Sequence, residues 1–401
     1  MILRLRNFVQ RCRSGTEIVV STTLLVLFFP FAGLAQVKDQ LVKYNDWDRY
    51  VLISQFYQMN NFRFAWIGNE KAQTQLRYIL SSADSLGLNA TDYQNKFLSA
   101  TDSQTVLLNL NDSVDADVHF TDAAIHFFTE LKFGNRVPPF GYTGLRYNPS
   151  ANNTISSLLF TYLKGSLKDL VSLVQPQTIE YSNVVSSLNW FRRIVAEDDF
   201  KDARIVSKKV DVTNKPLLFR LYQLGMTDSV LKTGNKKIII EKLKKAQSFF
   251  DLLNDGTLRT TALEAFNVPL KRRIEELKTA LNYLRWTDEI KQASSVLLLN
   301  IPSAYLMVYD KGKIILDSKV IVGKPATPTP ILTSTITQVI LYPFWNVPNK
   351  IATKELLPAI KRNIGYLEAG NYQVLNNEGR VLDPYKIDWK SLSAAYFPYH
   401  I

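Results

Sequence analysis

The chemistry open to this chain is set first by its thiols and imidazoles, and among 401 residues there are one cysteine, Cys12, and three histidines, His119, His126 and His400. Cys12 stands in a basic, apolar N-terminal segment, so the chain beyond it has neither a thiolate nor a disulfide. No His and Cys residues stand at metal-ligand spacing, and neither a transition-metal site nor any other cofactor is expected. His126 sits between Ile125 and Phe127-Phe128, the setting of a structural histidine on a helix, and His119 belongs to the same stretch. There is no Gly-x-Ser-x-Gly elbow, no His-Glu-x-x-His and no phosphate-binding glycine loop ending in Lys-Ser/Thr. Carboxylates are plentiful but no motif pairs them; a hydrolase that uses two acids far apart in sequence stays open on these grounds.

The elements that would position any site begin after residue 35. Arg4, Arg6, Arg11 and Arg13 precede an unbroken apolar run, Leu24 to Leu34, and Gly33-Leu34-Ala35 puts small residues where a signal peptidase reads. The run is shorter than the ~18 residues a spanning helix needs, so a signal peptide cut after Ala35 is expected, with an uncleaved membrane anchor as the alternative. The net charge of +12 falls to +9 once the four Arg and one Glu of that segment are removed. A basic exported protein meets anionic lipid and cell-wall polymer rather than nucleic acid.

From Asp39 to about Ala196 the texture is helical. Leu76, Ile79, Leu80 and Ala83 keep helical spacing within Glu70 to Leu86, and Gly87 stops the run. Thr121 to Phe133 reads as a helix capped by Thr121 and ended by Gly134. A second unit, Ile238 to Trp286, has one helix face marked by Ile239, Leu243, Ala246, Phe250 and Leu253, and then the turn signal Asn254-Asp255-Gly256. A short helix at Thr261 to Phe266 and the repeat Leu270, Ile274, Leu277, Leu281, Leu284 follow; two heptads are too few for a coiled coil, and a three-helix module is expected. Strands are predicted at Val296 to Ile301, Tyr305 to Tyr309, Ile314 to Val322 and Thr335 to Leu341, with Asp310-Lys311-Gly312 as a hairpin turn. The proline-rich loops Gly323 to Pro330 and Tyr342 to Pro348 lie around the last strand, Lys354 to Ile360 reads as a short helix, and the rest to Ile401 is aromatic-rich and irregular.

Three stretches carry a family resemblance. Leu299-Asn300-Ile301-Pro302 through Val320-Ile321-Val322-Gly323, with Pro328-Thr329-Pro330 and Pro343-Phe344-Trp345-Asn346-Val347-Pro348, is similar to the first half of a murein L,D-transpeptidase catalytic domain. Lys245-Ala246-Gln247, Asn254-Asp255-Gly256-Thr257-Leu258, Thr261-Ala262-Leu263 and Phe266-Asn267 resemble a peptidoglycan-binding helical module, and Leu281 to Trp286 the link from that module to the catalytic domain. Ala65-Trp66, Leu86-Gly87-Leu88, Asp92-Tyr93 and Thr121-Asp122-Ala123-Ala124 look like the scaffold domain of the large Gram-negative members. The implied fold is α+β and multidomain: signal peptide 1–35, helical scaffold 36–237, module 238–286, and 294–401 as the N-terminal part of a mostly-β catalytic domain with a lid-like insertion at 349–397.

The resemblance implies a mechanism in which a cysteine thiolate attacks the bond before the terminal D-alanine of a tetrapeptide stem, expels D-alanine as a thioester forms, and is released by the amine of a second stem. The His-Gly-Cys segment that would do this is expected beyond Ile401, so no catalytic residue is assigned; His400 resembles a strand position before that segment rather than the family's histidine. Trp345 and Asn346 are the substrate-cleft candidates, with packing as the other role for the tryptophan. Peptidoglycan stem peptides are the expected partner and the periplasm the expected location. The 401 residues are expected to be inactive on their own, the alternatives being a non-catalytic peptidoglycan-binding protein and, from a different class, a carboxylate hydrolase.

Overall fold

The computed structural model describes residues 37–98, 110–135, 154–230, 235–293, 295–324 and 326–401. The expected signal peptide and Cys12 lie outside these. The chain divides into two units, Met1–Thr333 and Ser334–Ile401.

The first unit opens with α1 (Tyr50–Met59) and α2 (Glu70–Ser81). The Asn69 side chain accepts from the Ala72 N–H at the start of α2, Leu76, Ile79 and Leu80 turn inward, and after a 3-10 turn, Ala83–Leu86, the chain leaves through Gly87 at φ +75°, as the spacing predicts. Next comes α3 (Leu110–Phe133), which corrects the expected start at Thr121. Thr121 is buried at mid-helix, where its Oγ1 donates back to the Asp117 carbonyl (3.0 Å) and accepts from Trp66 Nε1 (2.9 Å). A threonine can bond the carbonyl one turn back as readily as it caps, and sequence does not separate the two uses. The predicted end holds: Gly134 sits at φ +87° and its N–H reaches the Glu130 carbonyl. α4 (Thr154–Tyr162), α5 (Leu167–Val174) and α6 (Ile179–Val195) complete the scaffold around a core that includes Phe56, Tyr57, Trp66, Phe120, Phe127 and Phe128.

A second core gathers α7 (Lys215–Gln223), α8 (Lys236–Phe249), α9 (Thr260–Phe266) and the start of α10 (Leu270–Ala293). It includes Phe191 and Ile194 from the end of α6, and Leu217 and Leu221 from α7, so the module expected at 238–286 shares its interior with residues upstream of 237. The Asn-Asp-Gly turn forms: Asp255 accepts from the Thr257 N–H (2.9 Å) and Arg259 Nε (2.7 Å), and the Gly256 N–H donates to buried Gln247 (2.8 Å). Farther along α10, Leu281 packs with Tyr181 and Leu188 of α6, the ordinary core face that the short leucine repeat predicts. Buried Arg285 donates to the Leu86 carbonyl and to Tyr181 Oη (2.8 Å), tying α10 to the scaffold.

Three antiparallel strands follow in the order β1 (Val296–Asn300), β2 (Tyr305–Asp310), β3 (Lys313–Lys319). Lys311 at φ +48° and Gly312 at φ +78° make the hairpin turn with positive φ at both central residues, the twist that a two-residue hairpin requires. β3 stops at Lys319, short of the predicted Val322. The larger correction is the strand expected at Thr335 to Leu341: no strand forms there, and residues 334–346 are all exposed. Alternating β-branched residues favour extension, but a strand exists only through its ladder, and among the described residues no ladder includes this segment.

The second unit is built on α11 (Asn349–Ile351), a π turn at Ala352–Leu356 and α12 (Leu357–Arg362), then α13 (Gly365–Ala369) and a small ladder of β4 (Val374–Leu375) with β5 (Val381–Leu382). The π turn stands just before Pro358, whose ring would meet the carbonyl four residues back in a regular helix. Leu356, Leu357, Ile360, Leu367, Val374 and Trp389 are among its buried residues. The mostly-β expectation therefore holds for residues 296–319, while 349–369 is largely helical.

Candidate active-site region

Trp345 and Asn346 lie on the exposed loop that leads into the second unit, and Trp345 is 61% exposed. The indole is not among the buried residues of the described cores. The next residue, Val347, is buried and its N–H donates to the Ile401 carbonyl at 2.7 Å. His400 and Leu375 exchange both backbone bonds, His400 N–H to Leu375 O at 2.9 Å and Leu375 N–H to His400 O at 2.8 Å. The fold therefore brings the Trp345-Asn346 loop to within two residues of a backbone contact with the 400–401 segment, from which it is more than fifty positions away in sequence. His400 is held by its backbone in this bridge; its imidazole is exposed and makes no hydrogen bond among the described residues.

Lys361 went unnoticed in the sequence. From α12 its Nζ donates to the Leu392 carbonyl at 2.6 Å and the Lys390 carbonyl at 3.2 Å, pinning the irregular segment after β5 against the helix. Trp389 Nε1 donates to the Pro384 carbonyl at 2.8 Å in the same segment. A lysine that satisfies carbonyls thirty positions away leaves no local pattern.

His126 and His119 are both on α3. His126 Nε2 is 3.1 Å from Glu130 Oε1, and Tyr93 Oη donates to Glu130 Oε2 at 2.5 Å. Burial pushes the Glu130 carboxyl up, but the hydrogen bonds from His126 and Tyr93 outweigh it and hold the group below the usual glutamate range. His119 lies against the rings of Trp47 and Phe97, each 5.2 Å away, and burial pulls its pKa down. Both histidines are structural members of the scaffold, as the apolar setting of His126 predicts. Among the described residues no group of three His, Cys, Asp or Glu is placed to hold a metal ion, and no helix is long and apolar enough to cross a membrane.

The buried carboxylate of Asp117 is the other group missed in the sequence. It accepts from Tyr57 Oη (2.6 Å) and from the backbone N–H groups of Ala65 (3.0 Å), Trp66 (2.8 Å) and Ile67 (2.8 Å). One side chain thus satisfies a whole turn, Ala65 to Ile67, that contains the Ala65-Trp66 pair of the scaffold resemblance. The sequence gives it little signal, because Asp115 and Asp117 alternate with Val114, Ala116 and Val118.

Two family models match this arrangement, one described as the scaffold domain over residues 51–188 and one as the L,D-transpeptidase catalytic domain over residues 294–397. Residues 294–397 are thus similar to an L,D-transpeptidase catalytic domain and residues 51–188 to a scaffold domain. It is 40% identical over 105 residues to a protein of Haemophilus influenzae named "Putative L,D-transpeptidase", a match that covers 26% of this chain and 21% of that protein. The chain thus aligns with about a fifth of the length of that curated relative. The catalytic-domain match takes in β1 to β3, the Trp345 loop and the helical second unit, while the scaffold match takes in α1 to α5 and the Asp117 and Glu130 clusters.

Proposed function

We propose that this protein serves in cross-linking peptidoglycan outside the cytoplasmic membrane, as an acyl transferase whose donor is a tetrapeptide stem and whose acceptor is an amine. The observation that carries the reading is the catalytic-domain match at 294–397 in one chain with the scaffold match at 51–188. The basic N-terminal segment with its apolar run supports export to the periplasm, and the likeness of residues 245–267 to a peptidoglycan-binding module supports a glycan or stem-peptide contact there. Trp345 and Asn346, exposed beside the 400–401 backbone, are the residues we assign to the wall of the substrate cleft.

The reaction needs a thiolate, and residues 37–401 contain no cysteine. These 401 residues are therefore expected to hold stem peptides without turning them over. The test is to incubate the purified chain with tetrapeptide muropeptides and follow D-alanine release, together with co-sedimentation on isolated sacculi. Retention on sacculi without D-alanine release agrees with the proposal. Release that survives thiol reagents and disappears on substituting one carboxylate would replace it with a hydrolase.

A second reading, a peptidoglycan-binding protein without catalysis, rests on the likeness of residues 245–267 to a peptidoglycan-binding module. One experiment separates the two: joining a His-Gly-Cys segment after Ile401 in the family's register restores D-alanine release under the first reading and does nothing under the second.

A further inference from the structure

Residues 201–209 run between α6 and α7 without regular secondary structure, yet they behave as one strand of a sheet whose other half is made of side chains. The Gln223 side chain donates to the Lys201 carbonyl (2.7 Å) and accepts from the Ala203 N–H (3.1 Å). Buried Arg220 donates through Nε to the Ala203 carbonyl (2.8 Å). The Asn267 side chain takes both groups of Ile205, accepting its N–H and donating to its carbonyl, each at 2.8 Å. Asn214 then donates to the carbonyls of Ser207 (3.0 Å) and Lys209 (2.7 Å).

Every anchored residue is odd-numbered, and burial follows the same period of two: Ala203 and Ile205 face the core while Arg204, Val206 and Lys208 are exposed. Period two is the geometry of an extended strand, in which the backbone groups of alternate residues point to opposite edges. The N–H and C=O groups of Arg204, Val206 and Lys208 accordingly face away from the helices, and none of them is bonded among the described residues. An open row of donors and acceptors, already held straight, is a template for an added strand.

The side chains along that row say what would be added. Val206 is 77% exposed between Arg204 and Lys208, and Lys201 and Lys209 extend the charge; none of these four cations makes an ion pair among the described residues. The one acid within the row, Asp202, is committed to Arg220 (3.3 Å) and the Leu270 N–H (3.1 Å). Cross-strand neighbours on one face prefer opposite charges and matched apolar groups. We propose that residues 203–208 form an open β-edge that binds an extended acidic protein segment of pattern acid-x-apolar-x-acid, its acids opposite Arg204 and Lys208 and its apolar residue opposite Val206. The pattern is the same in both directions, so it accommodates a parallel or an antiparallel partner.

The probe is a fluorescein-labelled, end-capped peptide containing Glu-Thr-Val-Thr-Glu, titrated by fluorescence anisotropy with the full chain at physiological salt. Saturable binding is expected, weakened at least tenfold by Val206→Pro, which removes an N–H that nothing in the fold uses and so leaves the melting temperature unchanged. A peptide N-methylated at alternate amides, so that its edge-facing donors are lost, is expected to fail as well. The double variant Arg204→Glu, Lys208→Glu should reverse the preference to the Lys-Thr-Val-Thr-Lys peptide. Absence of saturable binding overturns the proposal. So does binding indifferent to both Val206→Pro and N-methylation, which would be charge attraction alone, and so does displacement of the peptide by an isolated stem tetrapeptide at equal concentration.

Discussion

The Asp117 carboxylate is the residue on which the scaffold turn most depends. Burial pushes its pKa up, while Tyr57 and the three backbone donors pull it down. Removing the acceptor strands the backbone donors of Ala65, Trp66 and Ile67 and leaves Tyr57 Oη only Thr121 Oγ1 (3.0 Å), and each buried unsatisfied donor costs about 1–3 kcal/mol. Asp117→Ala is therefore expected to destabilise the chain by about 3–5 kcal/mol in urea unfolding, against about 1 kcal/mol for Tyr57→Phe, which takes away one donor and leaves the carboxylate its other three; equal losses would refute the ranking. Glu130 gives a pH dependence. Its folded pKa is depressed, so its contribution is complete above the ordinary value of 4.5 and is lost as pH falls through the lower folded value. Between roughly pH 5 and pH 3 the wild-type chain should lose stability more steeply than Glu130→Gln. Parallel acid-denaturation curves would show that the Tyr93–Glu130–His126 cluster carries no such linkage. Neither cluster was legible in the sequence as a unit, because its members lie on separate elements and meet only through the fold.

At the scale of elements, what could be read was what is local. Helix α2 with its Gly87 stop, the Lys311-Gly312 hairpin and the Asn254-Asp255-Gly256 turn are each decided by a few neighbouring residues, and each formed. Gly256 illustrates the cost of changing one: at φ +74° any side chain is strained, and a Cβ would stand 2.8 Å from Ile240 Cγ2. Gly256→Ala should lower stability by about 1–3 kcal/mol in the same unfolding assay; a neutral result would mean that the α8–α9 turn has another conformation available to it. The unread parts were non-local. The first eleven residues of α3 interleave Asp112, Asp115 and Asp117 with Val114, Ala116 and Val118, which hides the helical period. The 335–341 segment alternates like a strand, but whether it becomes one is decided by a partner. The 201–209 row has no strand signature in sequence at all, because its ladder is supplied by Arg220, Gln223 and Asn267.

For the whole molecule, exposed apolar surface is the property with the most direct consequence. Exposed apolar residues stand in β3, where Ile315 is 65% exposed, along 331–345 and at Tyr396, whereas Ile401 is buried. An edge strand with Ile314, Ile315 and Leu316 in water is a template for association. The purified 401-residue chain should bind a hydrophobic dye and sediment as larger species with rising concentration, and Ile315→Lys with Leu316→Lys should suppress both. A wild-type chain that stays monomeric at all concentrations would show that this surface is inert.

Helix α10 runs without a break for 24 residues, from Leu270 in the second core, past Leu281 and Arg285 on the scaffold, to Lys291, whose ammonium sits 4.6 Å from the Tyr309 ring of β2 and whose carbonyl accepts from the Gly312 N–H. At 1.5 Å per residue it is a rod about 36 Å long, and each residue added or removed turns everything downstream by about 100°. Substitutions along its outer face can accumulate freely, but an insertion or deletion between Leu281 and Lys291 would swing Lys291 off Tyr309 and uncouple the strands from the helices in one step. Descendants of this gene should therefore vary in the composition of that stretch while its length remains constant.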